Sequence, residues 1–309
     1  MQTTRPFQQV DVFTPTPYQG NPLAVVLDGS DLTDDAMQGF ARWNNLSETT
    51  FLTPPSAEAA AAGADYQVRI FTPGGELPFA GHPTLGSCRA WLESGGQPKR
   101  SDLIVQQCAK GLIRIRREGT RLAFAAPSLQ RNNPSPALLA KVAAALGLQS
   151  RQVIAAQLLD NGPVWLGLLL DSEDTVLQLE PDHKALKNLG QKVGVAAVER
   201  AQAAPNLIAR SNREARAFGA RTATEPSEPV LEVRAFAAPM GVDEDPVTGS
   251  LNASLAQWLI ADGHMPERYT AHQGTCLGRR GRVALQRDAD DQVWVGGDVV
   301  TCISGQVLL

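Results

Sequence analysis

Short runs with a period of two alternate along the chain with segments of helical spacing, the local pattern of an α+β protein. Phe7-Gln-Gln-Val-Asp-Val-Phe13 alternates like a strand, and a turn-rich segment through Gly20-Asn21-Pro22 leads to a second strand, Leu23–Leu27. Asp31–Trp43 places Met37, Phe40 and Ala41 on one helical face, with Ser30 or Thr33 as its cap. Further strands are predicted just after Glu48, at Tyr66–Phe71, and at Leu103–Gln107, Leu112–Arg116 and Arg121–Ala125, the last three forming an antiparallel series. Beyond a Pro-, Asn- and Ser-rich stretch from Pro127 to Pro136, a helix over Ala137–Leu146 is closed by Gly147. Strands then fall near Gln152–Leu158, Val164–Leu170 and Thr175–Leu179, a helix at Pro181–Leu189 and a strand at Lys192–Glu199. Ser211–Arg221 is rich in Arg without usable periodicity and reads as a surface turn. Strand Leu231–Phe236, helix Asn252–Ala261 and strands at Arg282–Gln286, Gln292–Val295 and Val299–Ile303 complete the pattern.

Two stretches follow one plan. Val68-Arg-Ile-Phe71 and Val233-Arg-Ala-Phe236 each run into a turn, after which His82-Pro-Thr-Leu-Gly-Ser87 and Asp245-Pro-Val-Thr-Gly-Ser250 each open a helix-like segment carrying a Trp, Trp91 or Trp258. Matches at corresponding places in two halves indicate an internal duplication. The expected division is residues 1–126 and 127–309, with a cleft between them and the last strand able to return to the first. Pro83 and Pro246 suit the first turn of a helix, with Asp245 as a good N-cap and His82 as a poorer one. Two such helix starts aimed at one cleft would hold a small anion, such as a substrate carboxylate, on free backbone N–H groups. The alternative is a pair of ordinary capped helices after β-turns.

Composition narrows the function. At 309 residues, a formal charge of -4 and a pI near 5.6, the chain has the length of two domains and no electrostatic footprint for nucleic acid or anionic membrane. Cys88, Cys108, Cys276 and Cys302 have no C-x-x-C spacing and read as buried small hydrophobes in a reducing, cytoplasmic compartment. No basic region followed by an apolar run opens the sequence, and the longest apolar run, Val164–Leu170, is far short of the roughly 20 residues of a membrane span. His82, His183, His264 and His272 are far apart, and no G-x-G-x-x-G fingerprint is present, so neither a metal nor a cofactor is expected. A Gly-x-Ser-x-Gly elbow is also missing, which argues against a hydrolase.

Glu48 is the leading candidate for acid–base chemistry, because Leu46, Phe51 and Leu52 would draw it inward and a carboxylate among apolar neighbours has its pKa raised toward neutrality. The competing reading is a carboxylate that only faces water. Gln273-Gly274 and Gly278-Arg279 offer backbone or charge to a cleft, or else simply form a tight turn before a hairpin.

Taken together and in order, Gly20-Asn-Pro22, Asn45-Leu-Ser-Glu-Thr49, Phe79-Ala-Gly-His-Pro-Thr-Leu-Gly86, Glu244-Asp-Pro-Val-Thr-Gly-Ser250 and Gln273-Gly to Gly278-Arg resemble the PhzF-like family of phenazine biosynthesis. The resemblance covers nearly the whole chain. It implies a diaminopimelate epimerase-like fold: two similar domains, each a curved, mostly antiparallel sheet around a central helix, with the active site between them. It further implies Glu48, His82, Asp245 and Ser250 as catalytic residues. Asn21, Gly81, Pro83, Thr84, Pro246, Thr248, Gly249, Gln273 and Gly274 are the matching candidates for substrate binding. The implied activity is cofactor-independent isomerisation of a small unsaturated carboxylic acid, similar to that of trans-2,3-dihydro-3-hydroxyanthranilate isomerase, in a homodimer. Epimerases of this fold use a cysteine at each helix start; here neither motif holds one, so a two-thiol racemase is a poor match. An epimerase working through Glu48 and Asp245, and a non-catalytic binding protein of the same fold, are the rival readings.

Overall fold

The structure, a computed structural model, describes residues 3–198 and 230–309. Glu199 at the expected end of one strand and the turn expected at Ser211–Arg221 lie outside the described residues.

In the first half the chain forms β1 (Thr4–Val12), β2 (Asn21–Val26), α1 (Asp34–Asn44), β3 (Thr49–Thr53), α2 (Ala57–Ala61), β4 (Tyr66–Thr72), β5 (Gly75–Leu77), α3 (Gly81–Glu93), β6 (Leu103–Cys108), β7 (Gly111–Glu118) and β8 (Arg121–Ala125). The second begins with β9 (Gln130–Asn132), α4 (Pro136–Ala145), β10 (Val153–Asp160), β11 (Val164–Leu170), α5 (Glu173–Leu177), α6 (His183–Leu189) and β12 (Lys192–Val198). It continues with β13 (Val230–Ala237), β14 (Val242–Asp245), α7 (Gly249–Ala261), β15 (Arg268–Gln273), β16 (Gly281–Arg287), β17 (Val293–Gly297) and β18 (Val299–Leu308).

Strand pairing displays the duplication. The spatial run β18-β1-β2-β3-β4-β6-β7-β8 is antiparallel, antiparallel, parallel, antiparallel, parallel, antiparallel, antiparallel. The run β9-β10-β11-β12-β13-β15-β16-β17 repeats those seven relations in the same order. The short strands β5 and β14 occupy equivalent places beside β4 and β13, and an antiparallel β8–β17 pairing joins the two runs. On this pairing we propose the division of the chain at residues 126 and 127, with β18 counted in the first half.

Each run curves around one helix. Strands from both ends of the first run, β18 and β8, pack on α3, as β1 to β4 do; β10 from one end and β16 and β17 from the other pack on α7. Both helices are therefore buried on nearly every side, and neither has the polar stripe of a surface helix. Gly86 lets α3 settle onto β1 and β2, since a Cβ there would stand 2.6 Å from Leu23 Cδ2.

The structure departs from the sequence reading at several places. Residues 175–179 are not a strand, because Ser172 caps α5 by accepting from the Thr175 N–H, and Glu173 and Asp174 fill its first turn. Asp245 and His82 are not the caps of the two central helices: Asp245 ends β14, and the caps are Thr248 and Ala80. The helix starts thus align Gly81-His82 with Gly249-Ser250, rather than His82 with Asp245. Strands β5, β14 and β15 were not foreseen, and β9 lies within the expected linker. Of the four free cysteines, Cys88 and Cys108 are buried, whereas Cys302 is half-buried and Cys276 exposed.

The starts of α3 and α7 touch. A Cβ built on Gly249 would stand 2.9 Å from Gly81 Cα, and one built on Gly81 would stand 2.9 Å from Gly249 Cα and from Phe124 Cζ. Since the obstruction is backbone, neither side can give way by a rotamer change. Gly249→Ala is expected to lower stability by about 1–3 kcal/mol. Gly39→Ala, in exposed α1 with open space around the position, should instead raise it by about 0.5–1 kcal/mol. Denaturant unfolding of the two variants checks this; equal behaviour would contradict the close approach.

Candidate active site

Where the two helices meet, neither cap spends a side chain on its own helix. Ala80 has none to give, and the Thr248 hydroxyl is turned to Asp245 Oδ2 at 2.6 Å. The first-turn N–H groups of Gly81, His82, Gly249 and Ser250 consequently lack intrahelical acceptors. Pro83 is the third residue of α3, where a missing N–H costs nothing. Thr84 Oγ1 donates to Ala80 O and accepts from Gln106 Nε2, so this candidate is used in packing α3 against β6.

Glu48 ends the connection from α1 to β3. Asn45 closes α1 in the left-handed region at φ 58°, while the Asn44 side chain accepts from the Leu46 N–H and donates to Thr49 Oγ1, which fixes the connection at both ends. Its carboxylate is carried inward to His82: Glu48 Oε2 lies 3.4 Å from His82 Nε2, with side chains 16% and 5% exposed. The alignment is not that of a hydrogen bond, and both atoms are buried without a hydrogen-bond partner among the described residues.

Asn21 links the halves. Its Nδ2 donates to Asp245 Oδ1 at 2.8 Å and Val247 O at 2.9 Å, and lies 3.3 Å from His82 Nδ1. An amide has two hydrogens, and the shorter contacts take both. The 3.3 Å contact to His82 Nδ1 therefore receives no hydrogen from Asn21. Burial pushes His82 down to about 4, against the pull of the Asp245 and Asp11 charges, so the ring is neutral near pH 7. Burial also raises Glu48. Asp245 is pushed up to about 6, chiefly by burial and then by the Glu48 charge, while His82 and the hydrogen bonds from Thr248 and Asn21 oppose the rise.

Ser250 stands apart from this cluster in its bonding. Its Oγ accepts from Trp165 Nε1 at 3.2 Å, and Asn161 Nδ2 donates to its carbonyl at 2.9 Å. Trp165 and Asn161 carried no signal in the sequence beyond an apolar strand and a turn. Gln273 and Gly274 face the α7 start rather than open space. Gln273 bonds to Asp245 and Thr248, and Gly274, at φ 94°, lies where a Cβ would stand 2.8 Å from Pro246 O.

The structure therefore brings Asn21, Glu48, His82, Asp245 and Thr248 into one bonded or contacting group, with Gly81 and Gly249 beneath it. Among the described residues no helix is long and apolar enough to cross a membrane, and no three His, Cys, Asp or Glu side chains are grouped to hold a metal ion.

Comparison with known proteins shows relatives of this sequence and fold over nearly the whole chain. The chain is 34% identical to antisense-enhancing sequence 1 of Schizosaccharomyces pombe, covering 98% of the chain and 99% of that protein. It is 31% identical to the trans-2,3-dihydro-3-hydroxyanthranilate isomerase of Pseudomonas fluorescens, over 97% and 98%. The fold matches the crystal structure of a PhzF-family phenazine biosynthesis protein from Bacillus anthracis with a TM-score of 0.79 at 20% identity, over 99% and 100% of the two chains. The PhzC-PhzF model, described as phenazine biosynthesis-like protein, matches residues 10–305. With the paired helix starts and the whole-length match, the chain belongs to the PhzC-PhzF family of phenazine biosynthesis-like proteins.

Proposed function

We propose that this chain, an isomerase of the PhzF family, relocates a proton between two carbons of a small unsaturated carboxylic acid, with Glu48 as the carrier and no cofactor. The observation behind this reading is the facing pair Glu48 Oε2 and His82 Nε2, buried, 3.4 Å apart and without a hydrogen bond among the described residues. A carboxyl raised by burial can both accept a proton and return it near neutrality.

In this step the Glu48 carboxylate takes a proton from a carbon made acidic by an adjacent unsaturated system. The electron pair of the C–H bond enters that system, and Glu48 returns the proton to another carbon, so atoms balance and nothing is oxidised. The substrate carboxylate is held against the N–H groups of Gly81, His82, Gly249 and Ser250. The Ser250 hydroxyl, already accepting from Trp165, is left to donate. Similarity to a trans-2,3-dihydro-3-hydroxyanthranilate isomerase makes that acid the first substrate to test.

Glu48→Gln should lower turnover by roughly 100-fold or more while leaving substrate affinity largely intact. Run in heavy water, the wild type should place deuterium at the receiving carbon. Deuterium at the original carbon with inverted configuration would favour an epimerase, and full activity of Glu48→Gln would sink the mechanism.

A second test needs no substrate. Glu48 and Asp245 bind protons more tightly in the folded than in the unfolded chain. The stability this confers is fully present below the ordinary carboxylate range, about 4, and is lost as pH rises through the folded values, about 6 for Asp245. Glu48→Gln removes one buried charge and relieves the other, so it should unfold at a higher temperature than wild type at about pH 8, with the gap closing toward about pH 5. Equal midpoints at the higher pH would count against a buried charged pair. A homodimer is also proposed, and sedimentation at micromolar protein should return twice the 33.0 kDa of one chain.

A further inference from the structure

Gln273 is 1% exposed and has a partner for each of its side-chain valences. Its Oε1 accepts from the Thr248 N–H at 2.9 Å and from Asn252 Nδ2 at 2.8 Å. Its Nε2 donates to Asp245 O and to Thr248 Oγ1, each at 2.9 Å. The amide cannot be turned over, because one end faces a backbone donor and the other a backbone acceptor. That fixed orientation settles the Thr248 hydroxyl. With an amide N–H directed at its oxygen, the hydroxyl proton goes to its other partner, Asp245 Oδ2, at 2.6 Å. Asn21 Nδ2 supplies the donor on Asp245 Oδ1.

We propose that Gln273 is a positioning residue that fixes the direction of the Thr248 hydroxyl and thereby holds Asp245 as an acceptor carboxylate beside His82 and Glu48. Were Asp245 to take a proton on Oδ2, the hydroxyl would have to turn, and the Gln273 amide blocks the turn. A proton arriving at the site is thus steered away from Oδ2. The other charged groups around Asp245 do not do this. Glu48 raises its proton affinity, His82 lowers it only when its ring is charged, which burial confines to acid pH, and Glu244 is occupied by Arg234. Arg279, across Gly274, donates to Tyr18 O and Gly20 O. Gln273 is therefore removed from direct contact with substrate and acts through Thr248.

The consequence for catalysis rests on the proton-relocation reading above, but the titration of Asp245 does not, so the two can fail separately. The measurement is the carboxyl 13C shift of Asp245 against pH, assigned by its loss in Asp245→Asn. Thr248→Val should raise the midpoint by about one pH unit, because a hydrogen bond to the charged form is removed, and Thr248→Ser should restore it. Gln273→Met should raise the midpoint in the folded protein, and should add nothing in a Thr248→Val background. Gln273→Leu is the second neutral replacement should Gln273→Met not fold. An unchanged midpoint in Thr248→Val, or an effect of the Gln273 variant that persists without the hydroxyl, overturns the proposal.

Discussion

The contact between Gly81 and Gly249 is the constraint on which the rest of the site depends. Two helix N-termini carry positive partial charge and repel one another, so their approach needs compensation. Absence of Cβ atoms makes the approach sterically possible, and the carboxylates of Glu48 and Asp245 supply negative charge beside it. The geometry follows from the sheets: each curves around its helix, and the β8–β17 pairing holds the two curved runs edge to edge so that the helices meet end to end. One small anion can then touch N–H groups from both halves.

Three ionisable groups are buried around that contact, at a cost to the fold. Glu48 and His82 come from the first half and Asp245 from the second, and Asn21 spans them with an amide whose hydrogens are both committed to the second half. Arg279 reaches back from the second half to Tyr18 O and Gly20 O, and Asp11 Oδ2 accepts from the Gly20 N–H. The loop that delivers Asn21 is thereby held from both sides. A displacement of one half against the other would change the proton affinities of these groups, because Asp245 would move relative to Asn21, His82 and Glu48.

Much of this was legible in the sequence, for physical reasons that differ by residue. Continuous apolar runs located β2, β11 and β12 because these strands are buried on both faces, and Glu48 stood out as a carboxylate near Leu46, Phe51 and Leu52. The paired motifs pointed to two helix starts. Their register did not survive: Pro246 looked like a first helical residue, yet Asp245 ends a short strand and Thr248 takes the cap position, because Gln273 from β15 captures the Thr248 N–H. No local pattern could announce that bond between residues 25 apart in the chain. The helix at 173–177 was misread for the opposite reason, as Ser172 and its acidic neighbours give a local cap signal that a five-residue apolar rhythm obscured. Trp165 and Asn161 were invisible because their roles exist only once β10 and β11 are packed against α7.

The two halves repeat one scaffold, and they differ at the candidate site residues. Strand pairing makes β3 equivalent to β12, so Glu48, one residue before β3, corresponds to Gln191, one residue before β12; the Gln191 side chain donates to Lys192 O beside it. Asp245, four residues before Gly249, corresponds to Leu77, four residues before Gly81, and Leu77 packs on the core. His82 corresponds to Ser250 as the second residue of its helix. Inversion at one carbon asks for acid–base groups on opposite faces, which a duplicated site provides most directly at equivalent positions. In this chain each carboxylate has an uncharged counterpart, and the two stand at non-equivalent places with Asn21 and His82 between them. That asymmetry sets the candidate site apart from one built of two equivalent acid–base groups, and the Glu48 charge raises the proton affinity of Asp245 across it.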